Sequence, residues 1–502
     1  MPPALVPQSA DYPVLGSTEP DALTLGRLIE REYGVTNKLR YSAEKHVLVF
    51  GPNGKGKGTR ILLPNLLQMR GNRSIVVIDP KGELAAVTAP FRRQLGRVVV
   101  LNPFNVVRGD FEGFDDLQSC GFNPLAQIDP AAPSFNVQAS LLADALVTMN
   151  DRDPHWSQSA RALIAALLMF TVIEARDAGQ VPKMSRFREL LCEMSEAPNA
   201  GNEWEGVGLP KRAAEMMKTA FAGLRNKAAQ FTDWNREIQS IASTARIQTE
   251  PFDDTEIAAD LDKDGFDFRE LRKEPTTVYL ILPPEMMGRH SKWLRLVLTS
   301  AIQGAMKARK AGEPRVLFML DEFYALGHLE IVSTVWALVR GYGISMMPVL
   351  QDLGQLKKLY PDLWETFIGM AGAVIWFAPN DLTTAEYMSR RAGDTTRNVT
   401  THSASSSRGN SWGTSSGGGM SPGGASSNSG QNDGGSSSYS SNSSDSPIKV
   451  PLIPHHQIFG LHPGSVMITI DGLAHVVPAY APAYYQIKQC LQRARENPYF
   501  AS

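Results

Sequence analysis

The 502-residue chain contains only three cysteines, Cys120, Cys192 and Cys490, and they lie far apart in the sequence. None belongs to a CxxC pair, and none has a histidine at the spacing of a metal site. This scarcity argues against a disulfide framework and against a structural zinc site. It is typical of a protein kept in a reducing cytoplasm.

The chain also lacks an excess of charge of either sign. Its 50 lysine and arginine residues nearly cancel its 51 aspartate and glutamate residues. A nucleic-acid partner is therefore not indicated by overall charge and would have to be held by local patches.

Long hydrophobic runs are absent as well. The longest is LIAALLMFTVI at 163–173, whereas a membrane-spanning helix needs about 20 such residues. The N-terminal sequence MPPALVPQSADYPVLG has no basic start followed by an apolar core, so it does not match a signal peptide. From these features we expect a chain that does not span a membrane by itself.

Short, continuous apolar runs recur along the chain, and most are separated by segments with a helical period. They are EKHVLVF (44–50), RSIVVIDPKGEL, RVVVLNPF, TTVYLILP (276–283), RVLFMLDE (315–322), GISMMPVLQ (343–351) and GAVIWFAPN (372–380). Strands that are buried on both faces of a parallel sheet have this appearance. The sequence therefore predicts an α/β domain with a mostly parallel sheet.

Composition changes divide the chain into segments. Residues 131–268 have a helical period with almost no strand signal, which predicts an all-α domain inserted into the α/β domain. The predicted organisation is an irregular N-terminal segment (1–43), the first part of a nucleotide-binding domain (44–130), the all-helical domain (131–268), the second part of the nucleotide-binding domain (269–400), a disordered Ser/Gly-rich linker (401–446), and C-terminal strands and a helix that complete the nucleotide-binding domain (447–502).

The linker prediction follows from composition, because serine, glycine and asparagine alone bury too little apolar surface to fold. Beyond the linker, VMITIDGLAHVVP (466–478) predicts a hairpin that turns at Asp471-Gly472.

The stretch FGPNGKGKGTR (50–60) follows the first predicted strand and opens a helix. The spacing G-x-x-x-x-G-K runs from Gly51 to Lys57, which makes Lys57 rather than Lys55 the lysine of a phosphate-binding loop. Backbone amides and the helix N-terminus would hold phosphate oxygens there. The predicted nucleotide-binding residues are Gly51, Pro52, Asn53, Gly54, Lys55, Gly56, Lys57, Gly58 and Thr59. The alternative is a plain glycine turn.

Gly58 stands where loops of this type carry the hydroxyl that binds Mg²⁺. Thr59 comes one residue later, where we expect a contact with the α-phosphate. Because Mg²⁺ keeps several waters and needs few protein ligands, this change should weaken the metal site without abolishing it.

Two predicted strands end in acidic residues. Asp321-Glu322 follows VLFML, an arrangement suited to holding Mg²⁺ through water (Asp321) and to polarising the attacking water (Glu322). Asp79 ends the other strand, but Pro80 follows at once, so an ordinary strand-ending turn competes with a functional role there. Lys81 is equally consistent with a nucleotide contact and with an ion pair to Glu83.

Two further polar residues are candidates for the reaction. Gln351 ends the next predicted strand, where it would contact the γ-phosphate or cap the following helix. Arg340 ends a predicted helix, where it is either a helix C-terminal cation or, in a ring, the arginine that enters the neighbouring site.

Together these segments resemble a known family. GPNGKGKGTRILLPNLL, VIDPKGEL, LDEFYALGHLE, VLQDLGQL and FAPNDLTTAEYMSRRAGDTT are similar, in this order, to the type IV secretion coupling proteins, the TraG-like ATPases of bacterial conjugation. The resemblance runs from about residue 44 to 490. In this family GKG after the loop is common, so Gly58 does not indicate an inactive enzyme.

The resemblance implies a RecA-like P-loop ATPase domain with an all-helical domain, assembled as a homo-hexamer that hydrolyses ATP with Mg²⁺. It implies that Lys57 is the loop lysine, Asp321-Glu322 the metal-and-base pair, Arg340 the candidate trans arginine and Gln351 the sensing glutamine. The implied partners are DNA, the relaxosome or a secreted protein substrate, and the components of a secretion channel.

Family members usually carry transmembrane helices before the motor domain, whereas this chain begins almost at the motor. We therefore expect membrane association only through partners, at the cytoplasmic face of the bacterial inner membrane. Two alternatives are a soluble DNA translocase of the cell-division kind and a non-hydrolysing adaptor for secretion substrates.

Overall fold

The chain is described here by a computed structural model. The residues that the structure describes are 17–30, 34–42, 45–149, 153–193, 208–233, 235–306, 309–416 and 429–500. The chain divides into two compact units, a larger one of Met1–Ala385 with His456–Ser502 and a smaller one of Glu386–His455.

Eleven of the strands in the described residues form a single sheet in the larger unit, in the spatial order β2-β1-β13-β12-β9-β3-β8-β7-β4-β6-β5. The bounds of all the strands are β1 (Leu23–Glu30), β2 (Gly34–Tyr41), β3 (Val47–Phe50), β4 (Arg73–Ile78), β5 (Arg97–Leu101), β6 (Thr276–Leu280), β7 (Arg315–Leu320), β8 (Ile344–Leu350), β9 (Ala373–Phe377), β10 (Asp394–Ser416), β11 (Ser429–Pro451), β12 (Ser465–Ile470) and β13 (Val477–Tyr480).

The strands from β9 to β5 in this order run parallel to one another, and β12, β13, β1 and β2 extend the sheet in antiparallel fashion. Strands β3, β4, β6 and β8 are buried along their whole length. Burial on both faces explains why these strands lack a polar alternation. The predicted α/β fold with a mostly parallel sheet is confirmed.

The N-terminal segment corrects one prediction. Residues 1–43 were expected to be irregular, but β1 and β2 pair with each other and β1 pairs with β13, with Arg27 opposite Tyr480. Leu23, Leu25 and Leu28 bury their side chains completely. This burial stabilises strands that the surrounding prolines obscure in the sequence. The predicted C-terminal hairpin is present as β12 and β13.

Helices cover the sheet and fill the segment between β5 and β6, whose described residues contain no strand. The helices are α1 (Leu63–Gln68), α2 (Glu83–Arg93), α3 (Phe135–Leu146), α4 (Pro154–Asp177), α5 (Met184–Glu193), α6 (Gly208–Met217), α7 (Ala222–Ala228), α8 (Arg236–Thr249), α9 (Thr255–Leu261), α10 (Pro284–Ala305), α11 (Glu330–Leu338), α12 (Leu353–Leu359), α13 (Trp364–Met370), α14 (Leu382–Ala392), α15 (His455–Phe459) and α16 (Lys488–Leu491).

Helix α4 is the most apolar of these helices. Among the described residues it alone is long and apolar enough to cross a membrane by length and composition, with a mean hydropathy of 1.4. Within the structure, 72% of its apolar window is buried, and Leu163, Leu167 and Phe170 pack inside the protein. Because a core helix of a globular protein can meet the same criterion of length and composition, the criterion alone does not identify α4 as a membrane span.

The smaller unit corrects a second prediction. Residues 401–446 were expected to be a disordered linker, but β10 and β11 pair along their whole length as an antiparallel two-stranded ribbon, from Asp394 opposite Pro451 to Ser416 opposite Ser429. Backbone hydrogen bonds form this ribbon without an apolar core. The composition argument considered only core burial and therefore missed backbone pairing. Residues 417–428 lie outside the described part of the chain.

Candidate nucleotide-binding site

Four parallel strands end side by side at one edge of the sheet. Phe50 at the end of β3 is opposite Leu350 of β8, and Ile78 at the end of β4 is opposite Leu320 of β7. Strands β7 and β8 are also paired. The segments that follow these four strands are therefore neighbours, although the sequence separates them by up to 300 residues.

The glycine loop after β3 has the backbone conformation that its glycines permit. Gly54 and Gly56 have φ angles of 79° and 82°, a region that side chains other than glycine rarely occupy. Gly51 lies against Phe377, and a Cβ atom on Gly51 would come within 2.9 Å of the Phe377 Cβ. The loop therefore depends on glycine at these positions.

Lys57 closes the loop on itself. Its Nζ atom donates hydrogen bonds to the carbonyl oxygens of Gly51 at 2.7 Å and Pro52 at 3.3 Å. Burial lowers the pKa of Lys57, and the nearby carboxylates of Asp321 and Glu322 oppose this shift. The lysine is thus a half-buried cation whose present partners are neutral carbonyl groups, which an anionic ligand could replace.

A helix starts directly after the loop. Gly58–Leu62 forms a π-helical turn that continues into α1, and the Arg60 amide donates to the Gly56 carbonyl at 2.8 Å. The Thr59 hydroxyl donates to the same carbonyl at 3.3 Å. No atom lies within 4 Å of the place where a Cβ atom of Gly58 would be, so this position has room for a side chain.

Lys57 faces a group of carboxylates. Asp79, Glu83, Asp321 and Glu322 line the same cleft of about 1260 Å³ as the loop residues from Gly56 to Thr59. Burial, together with the neighbouring Glu322, raises the pKa of Asp321 to about 6, and Lys57 opposes this shift. Burial likewise raises the pKa of Asp79 to about 7, against the backbone amides of Ala85 and Leu84. These shifts show that the cleft brings carboxyl groups together in a place where their ionised forms are disfavoured.

Glu322 has a strained backbone. Its φ and ψ angles of 50° and 42° are left-handed, which costs a residue other than glycine about 1–3 kcal/mol. Phe323, the next residue, is completely buried, and its ring stacks at 6.3 Å on Tyr360. The packing of Phe323 holds the turn in place, and such strain is commonly found at functional sites.

The other two predicted reaction residues are placed less completely. Gln351 follows β8 beside the loop strand, and its backbone amide donates to the Gln355 side chain at 2.9 Å. The predicted alternative role of Gln351 as a helix cap is wrong, because Asp352 caps α12 by accepting a hydrogen bond from the Gln355 amide at 2.8 Å. The backbone of Arg340 lies in the 3₁₀ turn Val339–Tyr342, but its side chain lies outside the described part of the chain.

Most of the predicted loop residues surround one of two cavities. The cleft contacts Gly54, Gly56, Lys57, Gly58 and Thr59, and a smaller cavity of about 330 Å³ adds Lys55. The carbonyl groups of Gly51 and Pro52 hold Lys57, as described above, whereas Asn53 is exposed to solvent.

Sequence reasoning missed the contribution of the C-terminal segment. The Asn497 amide donates to Glu83 Oε1 at 2.7 Å, and the Tyr499 hydroxyl donates to the Lys81 carbonyl at 2.5 Å. Arg495 donates to the Ala86 carbonyl at 2.7 Å. These contacts hold the segment after β4 at the wall of the cleft. No local motif announces them, because the partners are more than 400 residues apart.

A family model for type IV secretory system conjugative DNA transfer matches residues 14–417, which is most of the chain. The chain belongs to this family. It is 27% identical over 374 residues to the conjugal transfer protein TraG of Escherichia coli, an alignment that covers 71% of this chain and 56% of that protein. It is 24% identical over 378 residues to protein VirD4 of Agrobacterium fabrum, with coverage of 73% and 52%.

The resemblance to TraG-like coupling proteins is therefore confirmed, and the chain spans about half the length of these curated relatives. Among solved structures, the plasmid coupling protein TrwB in complex with the GTP analogue GDPNP is similar at a TM-score of 0.58 and 14% identity, covering 94% of this chain and 97% of that chain. TrwB in complex with ADP and Mg²⁺ is similar at a TM-score of 0.57, with coverage of 93% and 96%. At 14% identity this likeness shows a common fold.

Proposed function

We propose that this coupling protein hydrolyses ATP to drive a DNA–protein substrate toward a type IV secretion channel. The observation that carries the proposal is the placement of Lys57, in a glycine loop at a helix N-terminus, opposite the carboxylates of Asp321 and Glu322. A plain glycine turn would have no need of a half-buried lysine or of buried acidic residues across the cleft.

Phosphate binding follows from the state of Lys57. Its Nζ atom would exchange the carbonyl oxygens of Gly51 and Pro52 for charged phosphate oxygens, while the amides at the start of the helix donate to the same phosphates. At about 4 Å and an effective dielectric of 20, one such charge pair is worth roughly 4 kcal/mol. The nucleotide complexes of TrwB support a nucleotide at this site.

The residues present fit a magnesium ion. Asp321 is a half-buried carboxylate with a raised pKa, and a divalent cation would favour its ionised form. Asp321 would hold Mg²⁺ through water. The Thr59 hydroxyl lies at the start of the helix that follows the glycine loop. The ion supplies neutralisation of the phosphate charge. Gly58 adds no ligand, so we expect a weak metal site.

For the chemical step we assign Glu322 to accept the proton of the attacking water and Gln351 to contact the γ-phosphate. Arg340 would complete the site of a neighbouring copy in a homo-hexamer. The substrate would be DNA with its attached relaxosome protein. Channel components would hold the assembly at the cytoplasmic face of the inner membrane.

The decisive experiment compares Lys57→Ala with Lys55→Ala in an ATPase assay, with and without DNA, across protein concentration. Lys55 is a matched control because it is a cation in the same loop that does not contact the main cleft. We expect Lys57→Ala to lower turnover roughly 100- to 1000-fold, whereas Lys55→Ala changes it little. If the wild-type protein hydrolyses ATP no faster than Lys57→Ala, the motor function is ruled out and a non-hydrolysing adaptor is favoured.

A further inference from the structure

Arg295 of α10 is a cation buried among backbone carbonyl groups. Only 5% of the residue is exposed. In the described part of the chain its guanidinium donates to five carbonyl oxygens, those of Ala145, Leu326 and His328 at 2.7 Å, Asp144 at 3.2 Å and Val147 at 3.5 Å. A guanidinium has five N–H donors and is not deprotonated in proteins. Arg295 therefore remains charged and uses its whole hydrogen-bonding capacity on neutral backbone groups.

Three of these carbonyl groups lie at the C-terminal end of α3. Asp144 and Ala145 belong to the last turn of this helix, where carbonyl groups have no partner within the helix, and Val147 is its C-terminal cap. The helix dipole also favours a cation at this end. Arg295 thus fixes the end of a helix that belongs to the helical segment between β5 and β6.

The other two carbonyl groups belong to the segment that directly follows Glu322. We call this segment, residues 323–328, the acid turn. Its first part, Phe323–Leu326, is a 3₁₀ turn with Glu322 at its N-terminal end, and the Ala325 amide donates to the Glu322 carbonyl at 2.9 Å. The acid turn is therefore hydrogen-bonded to Glu322, and a displacement of its far end, which Arg295 holds, would be passed on to Glu322.

The strained backbone of Glu322 needs a hold of this kind. Its φ angle of 50° is left-handed, and a residue other than glycine keeps such a conformation only where the surrounding structure enforces it. The buried ring of Phe323 fixes one end of the acid turn, and Arg295 fixes the other. Between its two carbonyl partners lies Gly327, whose φ angle is 66° and where a Cβ atom would come 3.4 Å from Arg295 Nη1. The contact is therefore close, and the backbone conformation at this position favours glycine.

We propose that Arg295 is a positioning residue for the general base: it holds the acid turn, and through it the carboxylate of Glu322, in a fixed place relative to the end of α3. The inference rests on the proposed function, which assigns proton acceptance to Glu322. Arg295 is not among the described residues that line the nucleotide cleft, so it acts through Glu322 and not on the nucleotide. Because its other contacts are with α3, a movement of that helix would also reach Glu322.

The first measurement separates ATP turnover from nucleotide affinity in folded protein. Arg295→Met removes the guanidinium but keeps a long side chain. It should lower turnover roughly 10- to 100-fold, because misplacement of a catalytic group by about 1 Å can cost this much, and it should retain the affinity for a fluorescent ATP analogue. Arg92→Met is the matched control, because Arg92 is also 5% exposed and donates to the Thr277 hydroxyl at 3.0 Å and the Met69 carbonyl at 2.8 Å. It should retain turnover.

A second variant disturbs the same contact without removing the buried charge. Gly327→Ala places a methyl group against Arg295 and strains the left-handed backbone of the acid turn. Turnover should fall while nucleotide affinity is retained, as in Arg295→Met, so the proposal stays testable if that variant does not fold. Gly312→Ala is the control, because Gly312 has a φ angle of 85° and no atom within 4 Å of its Cβ position. It introduces similar backbone strain without touching Arg295 and should keep wild-type turnover.

A double-mutant cycle tests whether Arg295 acts through Glu322. When Arg295→Met is added to Glu322→Gln, the residual turnover should stay nearly unchanged, because the effects of residues that act as one unit are not additive. A purely structural role predicts instead that the two losses multiply. Multiplied losses, or wild-type turnover in both Arg295→Met and Gly327→Ala, would overturn the proposal.

Amide hydrogen exchange without nucleotide gives a readout that does not depend on hydrolysis. In Arg295→Met, peptides from the acid turn and from the end of α3 should exchange faster, whereas peptides from the glycine loop should keep the wild-type rate. Unchanged exchange in the acid turn would contradict the proposal even if turnover falls. Turnover that depends on Lys57 but not on Arg295 would reject the positioning role alone. If hydrolysis does not depend on Lys57, the ATPase function is rejected, and faster exchange in Arg295→Met would then leave Arg295 only a structural link.

Discussion

The nucleotide cleft and the ribbon differ in which side chains they bury and which they expose to water. In the cleft, charged groups are removed from water, and buried Asp79 is held by a backbone amide at 2.8 Å. In the ribbon, apolar rings are placed in water, and Trp412 has no core to enter. Each arrangement costs free energy, because like charges crowd together in one region and aromatic surface stays hydrated in the other.

The comparison teaches that unfavourable placement takes two forms, buried carboxyl groups in the cleft and exposed aromatic rings in the ribbon. The cleft, however, needs the whole scaffold, since four strands bring its residues together. The ribbon needs only its own two strands. Substitutions in the cleft should therefore change stability, metal dependence and chemistry together, whereas substitutions in the ribbon should leave all three nearly unchanged.

The largest effect is expected from Glu322→Gln, which tests whether the cleft is catalytic. Glutamine keeps the size of the side chain but cannot accept the proton of the attacking water. Turnover should fall roughly 10²- to 10⁴-fold while nucleotide affinity is retained. Single-turnover ATPase kinetics and nucleotide titration check both parts.

The matched control is Glu83→Gln, because glutamine can still accept the hydrogen bond that Asn497 donates. Its turnover should change far less. Normal hydrolysis by Glu322→Gln would mean that another carboxylate of the cleft acts as the general base.

The second effect concerns the stability of the protein without nucleotide. Burial raises the pKa of Asp79 to about 7, against about 4 in an unfolded chain. Between these values the folded protein binds more protons than the unfolded one, so the free energy of unfolding should fall as pH rises from 4 to 7. Asp79→Asn should remove this loss and stabilise the protein at pH 8 by on the order of a few kcal/mol.

Urea unfolding from pH 4.5 to 8 measures this effect. Asparagine can still accept the hydrogen bond from the Ala85 amide, so the loop should keep its structure. Asp115→Asn is the control, because the Asp115 side chain is 92% exposed. If Asp79→Asn and the wild type have the same pH dependence, burial of a carboxylate is not the strain that distinguishes the cleft.

The sequence anticipates the parts of the cleft that depend on local chemistry. A glycine loop between a buried strand and a helix, and acidic residues at the end of an apolar strand, are patterns whose cause lies within a few residues. The two patterns meet at one edge of the sheet because the strands that carry them run parallel to one another. The contact of Asn497 with Glu83 spans 414 residues and depends on how the C-terminal segment packs. No local pattern could predict it.

The ribbon was missed for a different reason. Its composition excludes a hydrophobic core, and that part of the inference holds, since its described residues between Asn398 and Asp445 are exposed. Composition does not exclude backbone pairing between two stretches of similar length. The alternation that places Trp412 and Tyr439 on one face has meaning only once the register is known.

A smaller effect is expected at Gly58, which sharpens the description of the metal site. The space around this residue is open, so Gly58→Ser fits and adds the hydroxyl that is a common ligand of Mg²⁺. The Mg²⁺ concentration needed for half-maximal turnover should fall roughly 3- to 10-fold. Gly58→Ala fills the same space without a hydroxyl and should leave the requirement unchanged. An equal shift in both variants would assign the effect to packing rather than to metal binding.

The smallest effect is expected from deletion of residues 401–446, which removes most of the ribbon. The described residues of this segment have no core to leave, so the melting temperature should stay within about 2 °C of the wild type, and the basal ATPase rate should be preserved. The contrasting substitution is Leu28→Ala in β1. It removes a completely buried side chain and should lower the free energy of unfolding by about 2–5 kcal/mol. A large fall in melting temperature on deletion would mean that the ribbon stabilises the fold.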